Sequence, residues 1–187
     1  WLAWMIDNDL PQSLHWFHDA ILHAKEIGAY DGWVGPQGWI NFLIFCQGNF
    51  ADAEREAETC LKESIAINDT PNGISKSYAL IGMLANLAGR YEEGLHLGLE
   101  AARNMATTVS WLPWAYWCVS VAQCGLQDYA AAADTIRSIL SRNNNQRMTW
   151  VALFSPSMAV VSAAEGDYAK AARLLGFATS YLKDAAG

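Results

Sequence analysis

Apolar residues return along this chain at helical spacing, and the helical segments themselves recur about every 40 residues. In the clearest stretch, from about Ile74 to Ala88, Tyr78, Ile81, Leu84 and Ala85 fall on one helical face. Gly89 follows, and glycine takes a left-handed helix cap without a Cβ clash. A second helix is expected from about Glu92 to Arg103, with Glu92 and Glu93 in the first turn, where acids suit the helix dipole. Gly94, Gly98 and Ala101 place small residues on one stripe of it, so a neighbouring helix can approach closely. No run shows the period-two alternation of a half-buried strand.

The turn between these helices is part of a repeated signature. Gln47-Gly48-Asn49-Phe50, Ala88-Gly89-Arg90-Tyr91, Leu126-Gln127-Asp128-Tyr129 and Glu165-Gly166-Asp167-Tyr168 share it, and Asp7-Asn8-Asp9-Leu10 is a weaker fifth copy. Their last residues are 10, 50, 91, 129 and 168, in steps of 38 to 41. A regular period of this size implies stacked helix pairs. The expected fold is therefore an all-α solenoid of antiparallel helix pairs with about nine helices. It forms a single domain over 1–187, with a partial repeat at 1–30 and repeats at about 31–70, 71–110, 111–148 and 149–187. Gln127 stands where the other turns have glycine, which suggests a different turn geometry there. Asn49, Asp128 and Asp167 sit where a capping side chain would serve the second helix. Ala53, Ala132 and Ala171 take the place of Gly94, and the ring at 50, 91, 129 or 168 is expected to pack over its turn. The connections between repeats are longer, notably Asn68 to Gly73 and Ser141 to Gln146.

The second full copy reads Tyr78-x-x-Ile81-Gly82-x-x-Ala85 and then Gly94-x-x-x-Gly98-x-x-Ala101; the fourth reads Met158-Ala159, Gly166-Asp167-Tyr168 and Ala171-x-x-x-Leu175-x-x-Ala178. These residues resemble tetratricopeptide (TPR) repeats, although the period exceeds the usual 34 or so residues. Repeats lengthened in this way, and the closing segment Ala169 to Ala178, look like the helical region of large bacterial ATP-dependent transcriptional regulators of the maltose-activator class. The resemblance implies a nucleotide-binding domain before such repeats and a helix-turn-helix domain after them. Trp1-Leu2-Ala3-Trp4-Met5-Ile6 lacks the polar face of a terminal repeat, so the chain is expected to be cut from a longer protein.

Composition narrows the partners. Over 187 residues, 52% are hydrophobic and 17% charged, enough apolar surface for a packed array. A net charge of −7, with pI near 4.9, argues against direct contact with nucleic acid. The basic group Arg137, Arg142 and Arg147 reads as a solvated turn. Cys46, Cys60, Cys118 and Cys124 form no Cys-x-x-Cys pair and read as small buried hydrophobes in a reducing, cytoplasmic setting. The most apolar run, Trp111 to Leu126, contains Pro113, Ser120 and Gln123 and is too short for a membrane span.

Catalytic chemistry finds no set of residues here. There is no phosphate-binding glycine loop. His15 and His18 could share a helix face, but no carboxylate or cysteine completes a metal set at zincin spacing. The expectation is no catalytic residue, metal or cofactor. What stands out is nine tryptophans, with Trp33, Trp39, Trp111, Trp114, Trp117 and Trp150 near the starts of first helices. In tetratricopeptide arrays those helices line a groove. The family's groove-facing spacing falls here on Phe42 and Phe45, on Lys76, Met83 and Asn86, on Trp114, Trp117 and Val121, and on Leu153. Each tryptophan could equally be packing between long helices. The expected function is a non-catalytic sensor or interaction region that binds a protein or small-molecule effector in the groove and signals to neighbouring domains, with self-association a further expectation. The alternative is a docking scaffold without a small ligand.

Overall fold

A computed structural model describes residues 10–68, 73–105, 111–142 and 147–186. Side chains are described for most of these, excluding 10, 30–35, 147–149 and 182–186. Asp7 to Asp9, the segment Trp1 to Ile6, the tip of the 141–146 loop and the Trp33 and Arg147 side chains therefore lie outside the described residues. The described chain is all α-helical: α1 Leu10–Glu26, α2 Tyr30–Cys46, α3 Phe50–Ala66, α4 Ser75–Leu87, α5 Tyr91–Asn104, α6 Leu112–Gly125, α7 Tyr129–Arg142, α8 Arg147–Ala164 and α9 Tyr168–Ala186. None of these helices is long and apolar enough to cross a membrane.

The five signature positions, 10, 50, 91, 129 and 168, are the first residues of α1, α3, α5, α7 and α9. The tight turns before the last four of these are built alike. Gly48, Gly89 and Gly166 have φ of 80°, 76° and 84°. Each turn carries the same pair of backbone bonds, for example Gly89 N–H to Asn86 O (3.0 Å) and Arg90 N–H to Ala85 O (2.8 Å). This double closure satisfies carbonyls that the helix end would otherwise leave open. Gln127 makes the same turn, with φ of 62°, so the third copy keeps the geometry and a side chain sits in the left-handed region. Asp128 and Asp167 cap the following helix through bonds from Ala131 N–H (3.1 Å) and Lys170 N–H (2.9 Å), whereas Asn49 makes no side-chain cap.

One connection departs from the expected alternation of short turns and long loops. Between α1 and α2, Ile27-Gly28-Ala29-Tyr30 forms a further turn of the same kind, with Gly28 at φ 69°. It lies 20 residues before the next turn, off the 40-residue register, although its sequence has the same form.

Consecutive helices pack in chain order, and α2, α4, α6 and α8 also touch one another in series. No two of α1, α3, α5, α7 and α9 are in close backbone contact among the described residues. The even-numbered helices thus form an inner row and the odd-numbered ones an outer row. The small-residue stripe of α5 is where the rows meet. A Cβ at Gly98 would come within 2.9 Å of Val119 Cγ2, and one at Gly94 within 2.0 Å of Asn86 Oδ1. Only glycine at both positions lets α4, α5 and α6 approach this closely. Tyr91 does not fold over its own turn. Its ring covers Gly125 at the end of α6, where a Cβ would lie 2.4 Å from Tyr91 Cδ1, so it locks one repeat to the next.

Candidate functional site: an aromatic seam along the inner row

Rings from three inner helices join into one chain. Starting at Phe50, the first residue of α3, the contacts run to Phe45 (5.6 Å between centroids), to Phe42 (6.0 Å) and across to Trp114 on α6 (4.6 Å). From Trp114 they continue at near right angles to Trp117 and to Trp150 on α8, each 6.4 Å away. Trp111, the residue capping α6, closes the seam against Trp39 (4.6 Å) and Phe42 (5.7 Å) of α2. Offset and edge-to-face pairs of this kind add about 0.5–1.5 kcal/mol each to ordinary burial. α2 and α6 lie on either side of α4, whose Ala79, packed with Phe42 and Trp111, is small and fully buried. A residue no larger than alanine at this point of α4 leaves room for the rings of its two neighbours to meet.

Lys76 enters the same cluster. Its stem lies against Gly38 of α2, where a Cβ would come within 2.9 Å of Lys76 Cδ, and its ammonium stands 5.5 Å over the Trp111 ring. The residue is almost wholly buried. A cation on the π face of an indole is held electrostatically, and more strongly once desolvated.

The nine residues expected to line a groove divide sharply. Phe42 and Met83 are 2% and 1% exposed and are packing residues, with no surface left for a ligand. Asn86 is also buried, and its role is structural. Its Nδ2 donates to the Cys118 carbonyl (2.9 Å), and the Cys118 thiol donates to the Gly94 carbonyl (3.4 Å), so one side chain ties α4, α5 and α6 together. Asn86 Oδ1 has no hydrogen-bond donor and faces the Cα of Gly94 instead. Lys76 is enclosed beside Trp111 rather than displayed on a surface. By contrast Phe45, Trp114, Trp117, Val121 and Leu153 are half-buried. Trp117 and Leu153 share the packing around Phe154, and Trp114 belongs to the cluster around Phe42 and Trp111. Met83 and Asn86 stand apart from the seam.

Three residues of the seam were noted for their ring but not placed in the site: Trp39, Trp111 and Trp150. Trp111 and Trp150 each stand 16 residues before the second position of the turn signature, at Gln127 and Gly166, so they are the same repeat position in successive copies. The corresponding residues of the two preceding repeats are Gly73 and Gly32. Counting back from the turn would have found the pair.

Two clefts, of about 430 and 450 Å³, open elsewhere. One lies between α7, α8 and α9, lined by Ile136, Leu140, Met158 and Val161 with Arg137 and Lys170 at the rim. The other lies between α3 and the end of α4, lined by Phe50, Glu54, Leu84 and Leu87. Both follow from outer helices that do not touch one another, and neither contains a residue expected in the groove. Arg90, paired with Glu54 (3.2 Å) and Glu93 (2.8 Å), stands beside the second.

The remaining polar candidates have ordinary surroundings. His15 and His23 sit on the exposed face of α1 beside Asp19 and Glu26. Among the described residues no three His, Cys, Asp or Glu side chains are grouped to hold a metal. Arg137 pairs with Asp134, and Arg142 stands 5.8 Å over the Tyr116 ring. All four cysteines are free. Cys60 and Cys118 are buried, Cys124 is half-buried, and Cys46 is exposed, contrary to the expectation that all four are buried. Burial pushes the Cys118 thiol from 9.0 to about 12 despite the opposing Asn86 hydrogen bond, which leaves it almost entirely protonated at neutral pH.

No family model, curated protein or solved structure matches this chain.

Proposed function

We propose that this chain is a non-catalytic binding module, the sensor or interaction region of a larger bacterial signalling or transcription-regulatory protein of the tetratricopeptide-like kind. The observation that carries the reading is the seam. One continuous chain of rings crosses α2, α6 and α8, and it includes half-exposed Trp114 and Trp117, with Val121 and Leu153 also half-exposed on the same helices α6 and α8. Half-exposed aromatic side chains on a rigid helical frame are the usual anchors of ligands and partner helices. Because the same rings join successive repeats, a bound molecule that prefers one packing of the seam would shift the packing of the array, which is what a sensor must do. The alternative, a docking scaffold for proteins alone, draws on the same surface.

A thermal-shift screen with small molecules and peptide helices separates the two readings. Ligands are expected to raise the melting temperature, and Trp114→Ala and Trp117→Ala are expected to weaken their binding by about 1–4 kcal/mol. Unchanged affinity in both variants would remove this face from the proposal, and hits confined to peptides would favour the scaffold.

A further inference from the structure

Each of α3, α5 and α7 packs between two inner helices, whereas α9 touches α8 alone among the described residues. The consequence is visible at one repeat position, seven residues after the first residue of each outer helix. Ala57, Gly98 and Ile136 hold it in α3, α5 and α7, and all three are buried. Each packs on the inner helix that follows: Ala57 with Leu80, Ile81 and Leu84 of α4, Gly98 against Val119 of α6, and Ile136 against Phe154 of α8. In α9 the same position is Leu175, and it is 50% exposed. The first residue of the helix shows the same change. Tyr91 covers Gly125 of α6, whereas Tyr168 is 72% exposed.

Tyr168 and Leu175 belong to one open stripe. Tyr168, Ala172, Leu175, Gly176 and Thr179 recur at the spacing of a single helix face, and all five are exposed. A Cβ on Gly176 would meet nothing within 4 Å. None of the five is charged, and the Thr179 hydroxyl donates to the Leu175 carbonyl of its own helix (2.9 Å). Lys170 and Arg173 stand off the stripe, with Lys170 at the rim of the cleft beside α7. At the earlier junctions the covering helix runs antiparallel: Tyr91, at the start of α5, lies on the end of α6. A two-fold axis across α9 gives the same arrangement, because two copies of one helix then meet antiparallel along the same residues. Ala172 and Gly176 admit a close approach, and Tyr168 and Leu175 fill it. A charged stripe would meet its own sign across the axis, and like charges facing one another are costly. This stripe has no charge to oppose, and a partner helix with a charged face would find no counter-charge on it.

We propose that α9 is a self-association surface. A second copy of this chain lays its own α9 antiparallel along Tyr168, Ala172, Leu175 and Gly176, in the place that an inner helix takes at the earlier junctions. The surface is separate from the aromatic seam and does not rest on the binding reading above.

Sedimentation equilibrium of the whole chain, from about 1 µM to about 500 µM, tests this. One helix per copy covers less than the roughly 1,200–2,000 Å² of a standard interface, so a dimer is expected with a dissociation constant in the micromolar range. Leu175→Glu brings two carboxylates together near the axis and should weaken the dimer about tenfold or more. Leu175→Lys should do the same, and an equal mixture of the two variants should regain the dimer. Trp16→Glu, at a 53% exposed ring on α1, should leave it unchanged. If the Leu175 variants fail to fold, Ala172→Glu on the same exposed stripe decides. A monomer at every concentration overturns the proposal and leaves the stripe to a helix of another protein. A dimer indifferent to folded Leu175→Glu and Ala172→Glu, or one that Trp16→Glu abolishes while those two do not, overturns it as well.

Discussion

The inner and outer rows obey different rules, and the contrast explains most of the molecule. In α5 only Gly94, Gly98 and Ala101 are buried, and in α7 only Ala132, Ile136 and Ile139, each set at helical spacing on one stripe. The rest of those helices is half-buried or exposed and carries ion pairs such as Arg103 with Glu100 and Arg137 with Asp134. In α4, by contrast, every residue from Ser75 to Asn86 is buried except Tyr78. An outer helix touches the array on one side, so one apolar stripe suffices. An inner helix has neighbours on most sides, so its sequence is apolar or small nearly all round. Polar residues on the inner helices therefore make specific contacts: Asn86 on the Cys118 carbonyl, and Ser120 on the Trp117 carbonyl (2.9 Å).

The sharpest way to break this contrast is truncation at one position in each row. Phe154 on α8 is fully buried against Ile136 and Ile139, whereas Leu99 on α5 is half-exposed. Phe154→Ala is expected to destabilise by about 3–5 kcal/mol. Leu99→Ala should stay within about 0.5 kcal/mol. Similar losses in denaturant melts of the two variants would mean the rows are not distinct layers.

The contact between rows comes next. Gly94→Ala should cost about 1–3 kcal/mol, because the added methyl meets Asn86 Oδ1. In an Asn86→Ala background that cost should fall, giving a coupling energy of about 1 kcal/mol in a double-mutant cycle. Additive losses would show that the clash is relieved by something other than Asn86.

The smallest effect compares turns within the array. Gln127 holds a left-handed φ that the other turns give to glycine. Gln127→Gly is expected to stabilise by about 0.5–1 kcal/mol, the relief of Cβ strain less the added chain entropy. A loss of stability in thermal melts would mean that the Gln127 side chain makes a compensating contact.

Much of this architecture is legible in the residues. Glycine two residues before an aromatic, at Gly48, Gly89 and Gly166, marks where three of the outer helices begin, since a left-handed cap has few chemical solutions. The small stripe of Gly94, Gly98 and Ala101 announces a close approach. The site was only partly legible, and the reason is geometric. Spacing places Phe42, Met83 and Trp114 on comparable faces, but only contacts between repeats decide which of them is covered. Phe42 is covered by Trp111 and Trp114, which arrive from a helix about 70 residues later in sequence.

Local chemistry therefore determined the all-α class, the 40-residue recurrence, the glycine turns at Gly48, Gly89 and Gly166 and where the outer helices begin, because each depends on residues within one or two helical turns of one another. The tertiary structure alone decided which rings of the inner row meet and which remain half-exposed. Those outcomes depend on the relative placement of α2, α6 and α8, and that placement is set by how the whole array packs.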